Sequence, residues 1–504
     1  MNFMARARNQ PQEMKPPKPR INNRGARAAL TFAIIVLELA LIYFIYITPQ
    51  LGLAAQWISA ILSLMLAGIF IRDINGLIGW WGTYLTSTKR GISFIDSISK
   101  RYKWFWNGMA TWGIVLGLGL LSYPFLKGKI DKRLFVFGLI SLLFMEYYVL
   151  TAAFSGFQFI NLPQLQIAQP SGGSLLTGGF SPLAVVYYIV TLVFGFTGLF
   201  MALLLYNAGT IVLKALLYTG SVVSGSPNNS ILQGVVPGVA PLIPGIDIPL
   251  VAGIASLAVL LIVHEFAHGI LSRIAKIRVK SIGLLMLGII PIGAFVEPDE
   301  RQLSRLDSTK QSRILAAGSA SNFVWSFIFF LLLSGLLTFI YPNVVNVYIG
   351  STAPGYPAAN VLQPGMQILY INGYKIYNIT TLENAEANVK PGDTVTMVTN
   401  TGTYSFTAIA VNGSSRGYIG YTPYEAVPNT PQGTVTEFLY SFFSLSLLFN
   451  ISLAVINLFP IPMFDGWRLY KANIKSKRVV RWFAIFITLL LVINVLAWVL
   501  VGLR

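Results

Sequence analysis

The chain has 504 residues, 55% of them hydrophobic and only 11% charged, where an ordinary soluble domain carries about a quarter charged. With its apolar residues gathered in blocks of membrane-spanning length, this composition excludes a soluble globular protein and indicates a polytopic membrane protein. The formal net charge of +18 does not argue for nucleic acid, because the basic residues cluster at the ends of the apolar blocks, and the absence of cysteine excludes disulfides and thiolate metal sites.

Residues 1–27 are polar, Pro-rich and basic and read as a disordered cytoplasmic tail. They do not resemble a cleavable signal peptide, since the apolar block after them is long and ends in no small-residue cleavage site. Residues 28–246 form an N-terminal transmembrane region. Spans are expected at 28–48 and 53–72, followed by a mixed segment at 73–110 with interfacial aromatic and basic residues. Further apolar blocks lie at 111–125 and 133–155, and the run 181–219 is too long for one simple span yet shows no clear turn. The stretches 156–180 and 220–246 are nearly uncharged and rich in Gly, Pro, Ser and Asn, as outward loops often are. Glu38 and Glu146 lie inside apolar blocks. Each marks either a functional site or, as favoured here for want of a motif, a carboxyl hydrogen-bonded between helices.

Residues 247–341 carry the first part of the chemistry. The chain's only two histidines, His264 and His268, stand four apart in His264-Glu265-Phe266-Ala267-His268, inside an apolar stretch. Four residues are about one helical turn, so both imidazoles project from one face and can grip one metal ion. Glu265 lies beside the first of them, where it can take a proton from the attacking water. Two histidines and a glutamate in hydrocarbon are costly unless they coordinate or pair. With no cysteine and no third histidine, a third protein ligand to a catalytic zinc must be a carboxylate. The run from Gly283 to Asp299 is too short and too broken by Gly and Pro for a span and reads as a membrane-dipping β-hairpin. Gly318-Ser-Ala-Ser-Asn322 then opens a span that ends near Tyr341, with small residues that let helices approach closely.

Residues 342–432 are polar, punctuated by turns and strand-like, and so read as a small β-rich globular insert. With only Lys375, Lys390 and Arg416 as basic residues, the insert is placed outside by the positive-inside rule. Acceptor patterns for N-glycosylation at Asn378 and Asn412 agree weakly with that side. Residues 433–504 return to the membrane, with Asn457-Leu-Phe-Pro-Ile-Pro-Met-Phe-Asp465-Gly466 between two spans. The alternation of basic flanks brings Asp465 to the same membrane face as the histidines, which leaves it open between a metal ligand and an ordinary cap or loop aspartate.

Three elements in this order, H-E-x-x-H at 264–268, Gly-x-x-x-Asn at 318–322 and N-L-x-P-x-x-x-x-D-G at 457–466, resemble the site-2 protease family of intramembrane zinc metalloproteases. The resemblance covers residues 247–481 and says little about 1–246. It implies a polytopic α-helical membrane protein with a membrane-dipping β-hairpin. It also implies one Zn2+ per chain held by His264, His268 and Asp465, with Glu265 as the catalytic base. Asn322, Asn457, Gly293 and Phe295 would position substrate, and the insert is similar to a PDZ domain. The implied activity is hydrolysis of peptide bonds within or near transmembrane segments of membrane-protein substrates, as in regulated intramembrane proteolysis. Apart from the resemblance, the absence of cysteine and the basic tail suit a multi-pass protein of a prokaryotic plasma membrane, an archaeal one included, and the basic flanks put the active site toward the cytoplasm. Besides the substrates, the lipid bilayer is the expected partner, and the oligomeric state is left open. The alternative is a membrane adaptor whose PDZ-like insert binds peptides without proteolysis. A zinc protease taking its third ligand from a glutamate helix would want a downstream E-x-x-x-D/N motif, and none falls on a suitable helix.

Overall fold

The computed structural model describes residues 17–46, 48, 53–89, 91–126, 131–154, 182–226, 228–232, 242, 244–245, 247–411 and 415–502. Most of the expected tail, the stretch 156–180 and Asn412 therefore lie outside the described residues. Among those described, eight helices are long and apolar enough to cross a membrane.

Helices α1 (Arg24–Tyr46) and α2 (Leu53–Asn75) form an antiparallel pair, inside which the Ser63 hydroxyl donates to Glu38 at 2.8 Å. Strand β1 (Thr83–Thr88) and the short helix α3 (Ile92–Arg101) follow, then α4 (Lys103–Leu118), which passes into a 3-10 turn over Gly119–Leu126. Helix α5 (Lys132–Phe154) carries Glu146, fully buried, whose carboxylate accepts a 2.8 Å hydrogen bond from Thr191 of α6 (Pro182–Val223). Both intramembrane glutamates are thus hydrogen-bonded between helices.

The run that is too long for one span is resolved by a break. Gly195 takes φ 68° and ψ −172°, a conformation open only to glycine. The element is therefore two helices joined across a kink at Gly195. Here α6 meets the break in α4: a Cβ on Gly195 would fall 2.3 Å from the Gly117 carbonyl carbon, and one on Gly119 would fall 2.4 Å from the Leu192 oxygen.

The chain continues through α7 (Leu250–Ile274), the strands β2 (Val279–Leu287) and β3 (Ile290–Pro298), α8 (Glu300–Leu303), α9 (Ser308–Leu315) and α10 (Ala317–Gly335). The expected hairpin is present as β2 and β3, but it belongs to a three-stranded antiparallel sheet in the order β1-β2-β3. The mixed segment at 73–110 thus supplies an outer strand that the sequence reading did not foresee. Gly283 lets the strands close up, since a Cβ there would meet the Thr86 oxygen at 1.9 Å.

The insert has its own sheet. Strands β4 (Asn346–Thr352), β5 (Gln367–Ile371), β6 (Tyr374–Lys375), β7 (Thr394–Thr399), β8 (Thr403–Thr407) and β11 (Tyr421–Ala426) make six strands, five of them ordered β11-β4-β5-β7-β8, with β6 paired to β5. Strands β9 (Ile409–Ala410) and β10 (Gly417–Tyr418) form a separate small pair. One helix, α11 (Ile379–Glu386), starts at a capping box in which Asn378 accepts from the Thr381 amide at 2.9 Å, a device worth about 1 kcal/mol. Alternation along β4 and β7 sends Val347, Ile349, Val395 and Met397 into a core of their own.

Helices α12 (Pro431–Ile456), α13 (Asp465–Asn473) and α14 (Lys477–Gly502) complete the chain. Lipid offers little hydrophobic drive between helices, so close packing of small residues carries the association. Gly113 of α4 lies so near Ala320 of α10 that a Cβ on it would sit 2.3 Å from the alanine methyl. Gly117 receives Leu458 of the loop after α12 in the same way, at 2.2 Å.

Candidate metal centre

Three elements distant in sequence bring the polar groups together. Helix α7 presents His264 and His268 one turn apart, as the spacing requires. Helix α12 ends at Ile456, and the loop 457–464 delivers Asp465 as the first residue of α13. Two close backbone approaches hold this loop. The Gly466 amide donates to the Asn457 carbonyl at 2.8 Å, and a Cβ on Gly466 would fall 2.3 Å from the Leu458 carbonyl carbon. Met463, 97% exposed, takes φ 100° in the same loop, a conformation that is strained for a side chain of this kind.

The three candidate ligand atoms form one cluster. Asp465 Oδ2 lies 2.9 Å from His268 Nε2 and 3.4 Å from His264 Nε2, and the two Nε2 atoms are 3.4 Å apart. A tetrahedral ion with bonds of about 2.0–2.1 Å spaces its ligands by roughly 3.3–3.4 Å. Two of the three separations match that spacing and the third is somewhat shorter. The donor set also fits, since two imidazoles and one carboxylate are a catalytic zinc complement that leaves a coordination position open.

The surroundings fix the ring orientations. His268 Nδ1 lies 2.8 Å from the Ile314 carbonyl, which can only accept, so Nδ1 carries the proton and Nε2 turns a lone pair into the cluster. The Asn322 carboxamide lies 3.0 Å from His264 Nδ1, and its second polar atom is buried without a partner. The atom facing the ring is Nδ2 and the orphan is the oxygen; turning the carboxamide over would let that oxygen accept from an Nδ1–H and leave Nε2 free to ligate. Asn457 donates from Nδ2 to Asp465 Oδ2 at 2.7 Å and accepts from the Asp465 amide at 3.3 Å. Gly318 is the floor beneath His264, for a Cβ on it would fall 2.2 Å from Nε2. Both expected asparagines therefore touch candidate ligands.

Glu265 projects from a neighbouring face of α7 and accepts a 3.0 Å hydrogen bond from the Val296 amide of β3. β3 ends the sheet, so its outer edge is unpaired by any strand among the described residues. Since the Val296 amide points outward, alternation points the N–H and C=O of Ala294 outward as well. Gly293 and Phe295 do not join the metal cluster. Phe295 is turned to the other face, where its ring packs over Gly283, and it is Val296 whose side chain reaches α7 at Gly269. The residue-level reading missed two contacts here, the Ile314 carbonyl and the Val296 amide. Both are backbone groups and carry no side-chain signal.

Part of the chain is similar to known proteins. Residues 252–497 match the model of peptidase family M50. An uncharacterized protein of Methanocaldococcus jannaschii is 29% identical over 225 residues, 45% of this chain and 58% of that protein. The chain thus spans somewhat over half the length of the curated relative it matches. The matched segment begins two residues into the metal helix and contains H-E-x-x-H, Asn322, the β-rich insert and the Asp465 loop. The segment from 252 to 497 thus belongs to peptidase family M50, the site-2 protease family.

Proposed function

We propose that this protein is an intramembrane zinc metalloprotease that hydrolyses peptide bonds within or near transmembrane segments of membrane-protein substrates. The observation that carries the reading is the convergence of His264, His268 and Asp465. They come from α7 and from the start of α13, 197 residues beyond His268, and meet within 4.8 Å, with a hydrogen-bond partner set behind each. His264, His268 and Asp465 would hold one zinc, which when bound supplies a Lewis acid that activates water and polarises a carbonyl.

The chain's own residues supply the rest. Glu265 takes the proton of the attacking water and returns it to the leaving amine. A transmembrane helix hides its peptide bonds in its own hydrogen bonds, so the substrate has to unwind locally. The outward N–H of Ala294 and the outward C=O groups of Ala294 and Val296 offer such a segment an edge to pair with, the Val296 N–H being held by Glu265. Asn322 and Asn457 orient the ligands, and both are also candidates to hold substrate.

The setting is a plasma membrane of a prokaryote, with the basic stretches at 273–280 and 468–481 on the cytoplasmic side and the insert outside. The insert, a sheet with one helix beside its edge strand β11, suits a PDZ-like peptide grip or size filter in regulated intramembrane proteolysis. The hydrocarbon core is about 30 Å thick, so an external insert would act on access and not on the zinc.

The test is cleavage of a single-span substrate by purified protein in vesicles, with zinc content measured in parallel. Activity that follows zinc and vanishes in Glu265→Gln supports the reading. Zinc-independent cleavage, or none from fully loaded protein on several single-span substrates, overturns it.

A further inference from the structure

Helix α3 lies outside the matched segment, yet it packs on the stretch of α7 that carries the metal motif. Phe94 meets Phe266 edge to face, with ring centroids 6.0 Å apart. Ile95 is fully buried, and its Cδ1 would be 3.0 Å from a Cβ on Gly269. The Val296 side chain approaches the same point, at 3.3 Å. Residues 265 and 269 are one turn apart, so Glu265, Gly269, Val296 and Ile95 surround one corner between the metal helix and the free edge of β3. An ion pair holds α3 there. Arg273 donates to Asp96 through both Nε and Nη2, the latter at 3.0 Å, in the forked geometry that fixes orientation as well as distance. The two side chains are about 30% exposed, so the pair is within reach of water and can open. The backbone leaves helical geometry at each end of α3: Gly91 takes φ 90°, and Tyr102 takes φ −120° and ψ 33° between α3 and α4.

We propose that α3 is a strap across the substrate entry, closed by the Asp96–Arg273 pair, and that an unwinding substrate must lift it to reach the edge of β3 beside Glu265. The inference rests on the proteolytic reading above. It follows from the placement of α3, since a strand added along Ala294 and Val296 must run past the corner that Ile95 fills. It assigns to the N-terminal region a part in controlling substrate entry. The ion pair sets how readily the strap lifts, and Phe94 and Ile95 form the wall opposite β3 that bulky substrate side chains would meet.

The absence of cysteine makes the test clean. In Asp96→Cys/Arg273→Cys the two new thiols are bridged by a short reducible bis-methanethiosulfonate reagent, which pins α3 to α7. The bridged protein should cleave a single-span substrate about tenfold more slowly than the same protein after reduction, with unchanged zinc content. Equal rates before and after reduction would sink the strap, whereas a lack of cleavage by the native protein would sink the proteolytic reading instead. A second readout needs no activity. The thiol of Ile95→Cys should react slowly with a membrane-permeant maleimide and about tenfold faster when Asp96→Asn is added. Equal labelling rates would show that the ion pair does not hold α3 in place.

Discussion

The imidazole of His264 rests directly on the Cα of Gly318, so that a methyl group there would fall 2.2 Å from Nε2 and 2.3 Å from Cε1. Gly318→Ala should therefore displace the ring and weaken zinc binding by about 10–100-fold, the range seen when a ligand loses its orientation. Alanine is the better helix former by roughly 0.8–1 kcal/mol, so helix instability would not explain the loss. Zinc titration of the purified variant decides it, and unchanged affinity would mean that α10 can retreat from α7.

Each ligand should be individually necessary. His264→Ala, His268→Ala and Asp465→Ala should lose the single zinc, while Glu265→Gln should keep it and still fail to cleave. Full zinc and full activity in Asp465→Ala would remove the aspartate from the ligand set.

The asparagines separate two roles. If they act by orienting ligands, Asn322→Ala and Asn457→Ala should each lower zinc affinity by about 10–100-fold. If they only hold substrate, metal titration will be unchanged and KM alone will rise.

In the insert, burial pushes the Glu386 carboxyl above its ordinary value, although the Tyr421 hydroxyl that donates to it at 2.7 Å works the other way. The folded state thus holds this proton more tightly than the unfolded chain does. The associated stability is fully present below the unfolded value of about 4.3 and is lost as pH rises through the folded one. Hydrogen exchange of the α11 and β11 amides should accordingly speed up across that window, beyond its intrinsic pH dependence. Glu386→Gln should flatten this excess, and a variant with the wild-type profile would assign the effect to another group.

Sidedness can be read by thiol labelling. Asn384→Cys, on the exposed face of α11, should react with an impermeant maleimide only from outside, and Lys475→Cys only from inside. The reverse pattern would invert the topology assumed for the active site.

The local parts of the site were legible in the sequence and the long-range parts were not. His264, Glu265 and His268 are one helical turn, so their spacing already states their geometry. Asp465 lies 197 residues beyond His268, and its approach depends on how α12 and its loop turn, which only the family pattern conveyed. Strand β1 was missed because Thr83-Tyr-Leu-Thr-Ser-Thr has no sharp alternation, and its partner β2 lies some 200 residues downstream. The break at Gly195 was hidden because one glycine in an apolar run is common in membrane helices and announces no turn. Two intramembrane carboxyls, Glu38 and Glu146, were found by composition alone, but their hydroxyl partners Ser63 and Thr191 were invisible without the packing.

The packing of Gly113 on Ala320 and of Gly117 on Leu458 bears on how the chain can be cut. One apolar core runs without interruption from Ile114, Leu116 and Phe196 to Phe323, Leu458 and Phe459, so it crosses the boundary where the family match begins. A truncated protein starting near residue 247 would strip partners from the helix that carries Asn322 and from the loop that carries Asp465. The β-rich insert, by contrast, sits inside the matched segment with a core that shares none of its buried residues with the membrane body. The family boundary at residue 252 therefore gives poor guidance for shortening this protein, and the two ends of the insert are the better places to cut.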